Sequence, residues 1–530
     1  MAFRGLIATL PVGLTGFNGS KNASRLGPGN FAYVEGVDID GQVLIKDGGA
    51  QKLNAAALGA PSAVLAGFNW SPVSGVLSDV VVLGNGNVRK DVGLGTFPTS
   101  LGTITAPTLY PPFFMTGGGE VVGQPRKLFI YSEGSQVSVV LGNGVTLAAI
   151  TTPPADWAAS FPIFGVLHGN RHWAGGNSSD PHRIYYSTVG DHQDFTGAGS
   201  GTFAIFPGEG EQIVGGISFR GLLILFKYPR GIYMVDTRDP AVANWRVDKL
   251  NSAVGAASPW CIVQISNDIL LLDSTGHFHL MSTINDFSDV NTSDVSRPQN
   301  ISPFMRENVS LLNMRKAMGA WYGAKAKAWF MVPLLGSPDN NLRIVVDFND
   351  ANTGARFLMS RRDIGKALWM RPDTTGVQRP TLGDDDGFIW IMDEDVRNKD
   401  GLAYTMFFDT AEMDFSHVDP QLGPRTKNGE YIEITSDIVR DISITVTPYW
   451  DGYIGQPILF TMGSVGEVLD NFVLDEDALS ASGTVTEQQR LEGQGRRLKL
   501  SMENNILDDE VRISEVRVGF TVADERIRSE

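Results

Sequence analysis

The chain of 530 residues contains one cysteine, Cys261. That excludes an intrachain disulfide framework and any multi-cysteine metal cluster. Following Trp260 in an apolar run, Cys261 reads as a small buried hydrophobe. Charge is also scarce: 19% of residues are charged, against a usual quarter. No run reaches the roughly 18 consecutive apolar residues of a membrane-crossing helix, so no span is expected. The apolar start, Met1 to Leu10, is broken by Pro11 and Gly13 with no small-x-small cleavage site close behind, and does not read as a secretory signal.

Basic charge is in deficit, with 43 Lys and Arg against 59 Asp and Glu, a net charge of −16. This argues against a high-affinity nucleic-acid binder, which needs cationic patches to release counterions. It leaves open DNA sliding past a repulsive wall. Catalytic signatures are missing as well. There is no Gly-x-Ser-x-Gly elbow and no Gly-x4-Gly-Lys-Ser/Thr phosphate loop. Asp273-Ser-Thr-Gly276 is a broken form of the Ser-x-Asp-x-Gly-x-x-Trp box of glycan-cleaving propellers, without the following Trp. The reading is therefore a non-enzyme without a cofactor.

Glycine and proline, in contrast, are abundant, at 60 and 27 residues. With 42% hydrophobic residues the chain can pack a core, and the glycines punctuate short apolar runs as hairpin turns would. Seven β-rich units recur, centred near residues 84, 134, 180, 229, 275, 338 and 397. A spacing of about 45–60 residues matches a four-stranded propeller blade. The expected fold is all-β: an N-terminal arm and hairpin over 1–58, a β-propeller of about seven blades over 59–410, and an antiparallel β-sandwich over 411–530. A large irregular sandwich is the alternative for the middle region. In the arm, Val37 to Ile45 reads as two strands around an Asp40-Gly41 turn. In the last unit, Phe388–Met392 is expected to pair with Leu402–Phe407. Helix is scarce, with Met305 to Lys316 the best candidate. The last 120 residues hold 23 acidic and 11 basic side chains, so most of the net charge belongs there. Asp475 to Gln489 reads as a long polar loop in that region.

Candidate sites are few. His168, His172, His182 and His192 cluster among glycines and read as turn and strand. His277 and His279 share a face of a strand and make half of a weak candidate metal site, with polar loop residues as the alternative. Asp384-Asp-Asp-Gly387 has the turn of a calcium loop without the Glu at its twelfth position. Asp384 and Asp386 are thus the second weak metal candidate, with a solvated turn as the alternative; Asp393-Glu-Asp395 lies close by. Basic groups are scattered as Arg315-Lys316, Lys325 with Lys327, Arg361-Arg362 and Arg496-Arg497, without the interleaved aromatics of a stacking platform.

Two segments carry a resemblance. The first is Gly13-Leu-Thr-Gly, Leu26-Gly-Pro-Gly, Glu35-Gly-Val-Asp-Ile-Asp-Gly and Lys46-Asp-Gly-Gly49. The second is Gly169-Asn-Arg-His-Trp-Ala-Gly-Gly176 with Pro181-His-Arg-Ile-Tyr-Tyr-Ser187 and Gly190-Asp-His-Gln-Asp-Phe195, extended by Ile213-Val-Gly-Gly-Ile217 and Gly231-Ile-Tyr233. Together they resemble the podovirus tail nozzle or tail-hub proteins, also called packaged-DNA stabilisation proteins, with a departure at Asp47, where a basic residue or Pro is commoner. The resemblance is recognisable over residues 10 to 280 and carries no catalytic residues. It implies a structural virion protein in the viral tail, assembled in the bacterial host cytoplasm. It also implies a homohexamer below the portal and its head–tail adaptor ring, with double-stranded DNA passing through the lumen, packaged DNA retained, and tail fibres, spikes or tip proteins docked outside. A carbohydrate-binding or glycan-cleaving propeller and a protein-interaction scaffold propeller are the alternatives.

Overall fold

The computed structural model describes all residues except 1–5, 12–14, 21–23, 25, 60–61, 74–75, 92, 94, 119–124, 141–143, 145, 159, 285–289, 297–299, 351–353, 362–364, 439–440, 464–482 and 524–530. Among the described residues, the strands form seven four-stranded antiparallel sheets and two seven-stranded sheets. The seven small sheets are propeller blades. Each begins with a strand at the centre of the ring and steps outward: Val64–Val73, Phe113–Gly117, Phe164–His168, Gln212–Phe219, Ile262–Ile265, Met318–Tyr322 and Ala367–Pro372 are the innermost strands of blades one to seven. Each neighbours the next, and the seventh returns to the first. This closed ring leaves no blade with an open face, which removes the aggregation hazard of an open sheet.

Six of the seven sequence units correspond to the middle hairpins of the blades, where apolar runs such as Leu222–Tyr228 and Lys327–Val332 are buried on both faces between neighbouring sheets. The inner strands converge because some of their positions lack a side chain. A Cβ on Gly67 would stand 2.5 Å from the indole ring of Trp369, so Gly67 lets blades one and seven meet.

The seventh blade departs from expectation. Its third strand, Ile389–Glu394, does not pair with Leu402–Phe407. Its outer partner is Gly49–Lys52, with Trp390 opposite Lys52 and Met392 opposite Ala50. The ring is thus closed by a strand from the other end of the chain. Met406–Thr410 joins a different sheet, between Asn30–Glu35 and Leu498–Asn504. The physical reason is face matching: Phe408 packs edge-on against Phe31 at 5.2 Å between ring centres, burying both.

The arm contributes to both large sheets as well. Leu6–Leu10 pairs with Arg512–Val522. Val37–Asp40 and Val43–Lys46 form the expected hairpin, with Asp40 opposite Val43, so the two turn residues are Gly41 and Gln42. Gly41 has φ +61°, the left-handed conformation that such a turn needs at its first position. Strands from 427 to 522 supply the rest of the two sheets, each with an alternating buried face; Ile442–Trp450 alternates strictly. The buried faces of both sheets and of five blades belong to one apolar cluster. Within the expected polar loop, Gly483–Arg490 is instead a strand paired with Lys427–Ile438, since a polar sequence can form a ladder when its partner supplies the apolar face. Residues 475–482 of that reading lie outside the described residues. The expected helix splits into an α-helix, Ser302–Asn308, and a 3-10 turn, Leu311–Lys316, separated by extended Val309, which bridges to Leu334.

Two ion pairs fasten the arm hairpin to blade six. Lys327 donates to Asp38, and Arg343 reaches Asp47 at 2.5 Å. Burial alone would raise the Asp38 carboxyl, but Lys327 and Lys325 outweigh it and hold the group below its ordinary value. Both partners in the first pair are largely buried, with side-chain exposures of 4% and 12%.

Candidate functional site

The sequence candidates are taken up one by one in hydrogen bonds within the fold. His277 and His279 lie side by side, with ring centres 6.2 Å apart, while Phe278 between them points into the core. Each imidazole has its own carboxylate: His277 Nδ1 is 3.0 Å from Asp294, and His279 Nε2 is 3.1 Å from Asp273. Asp384 is mostly buried and accepts from the backbone N–H of Asp386 and Phe388 and from the indole N–H of Trp390, at 3.0, 2.7 and 2.8 Å. Asp386 is exposed at the tip of the same turn. Among the described residues, no three His, Cys, Asp or Glu side chains converge as metal ligands.

Asp384 belongs to a device that recurs. In Asp273-Ser-Thr-Gly-His277-Phe-His279, Asp273 accepts from the N–H of Thr275 and His277 and from the His279 ring. In Asp373-Thr-Thr-Gly-Val377-Gln-Arg379, Asp373 accepts from the N–H of Thr375 and Val377 and from the Arg379 guanidinium. The shared pattern is Asp-x-x-Gly followed three residues later by a side-chain donor. One carboxylate oxygen clamps the turn and the other anchors the outgoing strand. Gly276, Gly376 and Gly387 all have φ between +84° and +87°, where a β-carbon is costly. The spacing is visible in the sequence once aligned on the Asp-Gly pair.

The clustered histidines are structural. His168 lies between the hydroxyls of Ser218 and Thr237, at 2.8 Å each. His172 donates from Nδ1 to the His192 carbonyl at 2.7 Å and meets the Tyr131 hydroxyl through Nε2. Burial pushes its pKa down to about 3, so the ring is neutral. His182 faces Lys227, whose ammonium donates to the carbonyls of Ile205, Phe206 and Glu209. Cys261 is fully buried, and burial pushes its thiol up to about 12.

Most of the basic groups are paired with acids or packed on rings; Arg496 is exposed, and its backbone N–H donates to Asp451. Lys325 binds Asp393 at 2.6 Å, Arg315 binds Glu211 at 2.9 Å, and Lys316 binds Asp339 at 2.9 Å. Arg497 lies 3.9 Å from Glu412. Arg361 lies over Tyr33 and Phe304; its neighbour Arg362 is outside the described residues. In the acidic run, Asp393 is buried against Lys325, whereas Asp395 is 97% exposed in its side chain.

Two cavities border the innermost strands, and sequence reasoning named neither. At the end where several inner strands begin, a pocket of about 280 Å³ is lined by Pro107, Leu109, Tyr110, Lys316, Asp339 and Lys366, among others. Lys366 is 2.6 Å from Asp339 and 2.7 Å from Asp385, so the cations are neutralised in place. Along the axis runs a groove of about 720 Å³ to which all seven innermost strands contribute. Its walls carry Phe68, Phe113, Trp260, Trp321 and Met370 with the amides of Asn69, Gln264 and Gln378. Among the described residues, no charged side chain and no histidine lines it. The signal for such residues is the start of each blade, which becomes readable only when the blade register is known.

No protein-family model matches the chain, and no curated protein matches it. Solved structures with a similar course include BBS1N in complex with ARL6DN, at 8% identity and TM-score 0.39, covering 65% of this chain and 96% of that one. BamB from Moraxella catarrhalis is similar at 9% identity and TM-score 0.36, covering 66% of this chain and 100% of that one. Chaetomium thermophilum Raptor follows at 11% and 0.40, covering 65% of this chain and 30% of that one. These likenesses are distant, and the seven-blade assignment stands on the strand order of the chain itself.

Proposed function

We propose that the chain is a structural virion protein of the tail-nozzle class, forming a homohexameric ring that continues the DNA channel below the portal and adaptor and retains packaged DNA. The observation that supports this reading most is the course of the arm. Within residues 6–52 the chain supplies strands to both large sheets and the closing strand of blade seven. The propeller and the two sheets are thereby tied at three places into one unit, as a part that must hold shape against internal pressure requires.

In this reading the lumen lies between copies. The axial groove of one propeller has the volume of a small-molecule site and is crowded by Trp260, Trp321 and Trp369, so a duplex has no path through it. The acidic segment after residue 410, placed along a shared lumen, would repel DNA phosphates and prevent sticking during ejection. Leu312 and Leu335, 87% and 68% exposed on adjoining segments of blade six, favour docking of a protein partner such as the adaptor ring or a tip protein. Electron cryo-microscopy of the purified chain tests the proposal. A six-membered ring with an acidic lumen supports it, and a ring with a basic lumen contradicts it.

A further inference from the structure

We propose that the axial groove is a binding site for a neutral saccharide. Three features of the groove select this ligand class. The first is the absence of charge. The groove draws on all seven blades of a chain in which 19% of residues are charged, yet among the described residues none of its lining side chains is charged or a histidine. A buried anion or cation would find no partner there and would be costly to desolvate. Nucleotides, phosphorylated groups and acidic sugars are thereby disfavoured.

The second feature is the pairing of rings with amides. Trp260 and Trp321 are only partly buried, and both present ring surface to the cavity. Trp260 is fixed by its indole N–H, which donates to the Pro112 carbonyl at 3.1 Å, and by Phe113, whose ring centre is 5.2 Å away. Such rigid rings offer flat apolar faces of the kind that stack on the C–H face of a pyranose. Gln264 and Gln378 are exposed at the groove, and each amide carries both donors and an acceptor. That combination matches a pair of neighbouring hydroxyls, which also donate and accept. Asn69 is held by its Nδ2, which donates to Asp79 at 2.8 Å, so its carbonyl oxygen is the part left for a ligand hydroxyl.

The third feature is size. The volume, about 720 Å³, lies within the range of small-ligand pockets.

The test is a glycan array probed with the full-length protein, followed by calorimetric titration with neutral trisaccharides built on glucose, galactose and N-acetylglucosamine. The expected result is binding of neutral glycans. Trp321→Ala and Gln264→Leu should each weaken it by about tenfold or more, with the melting temperature of each variant within a few degrees of the parent. A silent array, binding confined to acidic glycans, or neutral binding unaffected by both substitutions would overturn the proposal. Displacement of the apolar dye ANS from the groove by a protein partner, with no glycan bound, would assign the groove to protein docking and overturn it equally. The outcome is independent of oligomeric state, so it stands or falls apart from the nozzle reading.

Discussion

Lys52 lies opposite Trp390 in the seam that closes the seventh blade, with its ammonium 5.0 Å from the centre of the indole ring and 4.3 Å from that of Phe388. A residue from the start of the chain and one from near position 390 thus share the closing contact of the ring. Lys399 lies over the same indole at 4.9 Å, and Asp400 pairs with Lys52 at 3.4 Å.

The seam tolerates little added volume. A Cβ on Gly49 would meet the carbonyl of Val396 at 2.7 Å and press closer still on that of Asn398. Gly49→Val is expected to cost about 1–3 kcal/mol through overpacking, read as a lower melting temperature by calorimetry. Val43→Ala on the arm hairpin, a partly buried position away from the seam, should cost less.

The Asp38–Lys327 pair predicts a pronounced asymmetry. Asp38→Asn leaves Lys327 buried without its counter-charge and should cost about 3–5 kcal/mol. The double variant Asp38→Leu with Lys327→Met should recover much of that loss. Because the folded pKa of Asp38 is depressed, its contribution is full above the ordinary carboxylate value of 3.8 and is lost as pH falls through the lower folded value. Chemical denaturation at a series of pH values checks both statements.

His172 gives a second window. Its folded pKa is near 3 and its ordinary value is 6.5. The unfolded chain therefore binds a proton that the folded chain refuses, and stability falls as pH drops from about 6.5 to about 3, by at most about 5 kcal/mol. His172→Gln removes the titration and should flatten this part of the profile. A slope unchanged in the variant would assign the acid sensitivity elsewhere.

The Asp-x-x-Gly turns should rank by burial. Asp384→Ala strands two backbone N–H groups and the Trp390 indole N–H, at a cost of about 2 kcal/mol or more. Asp373 makes the same bonds from a solvated turn, so Asp373→Ala should cost less. Thermal melts of the two single variants decide the order.

Much of the propeller was legible in the sequence because in six of the seven blades the middle hairpin is an apolar run of distinctive period with glycine turns. Leu222 to Phe226 and Ile269 to Asp273 are examples. The closing strand was not legible. Gly49–Lys52 is four residues long, lacks an apolar pattern, and finds its partner more than three hundred residues away. The same distance hid the pairing of Phe31 with Phe408 and led to a local partner for Ile389–Glu394. The metal candidates His277, His279 and Asp384 were visible as residue types. Their partners, Asp294, Asp273 and the turn amides, depend on hairpin geometry that spacing alone does not supply. The axial groove was invisible because its residues come from seven separate strands.

The central claim, a nozzle built from several copies around a shared lumen, is tested most directly by the mass and symmetry of the purified chain. Mass photometry with electron cryo-microscopy should give a closed six-membered ring whose lumen lies outside the propeller axes. A stable monomer under all assembly conditions, or an open filament in place of a ring, would contradict it.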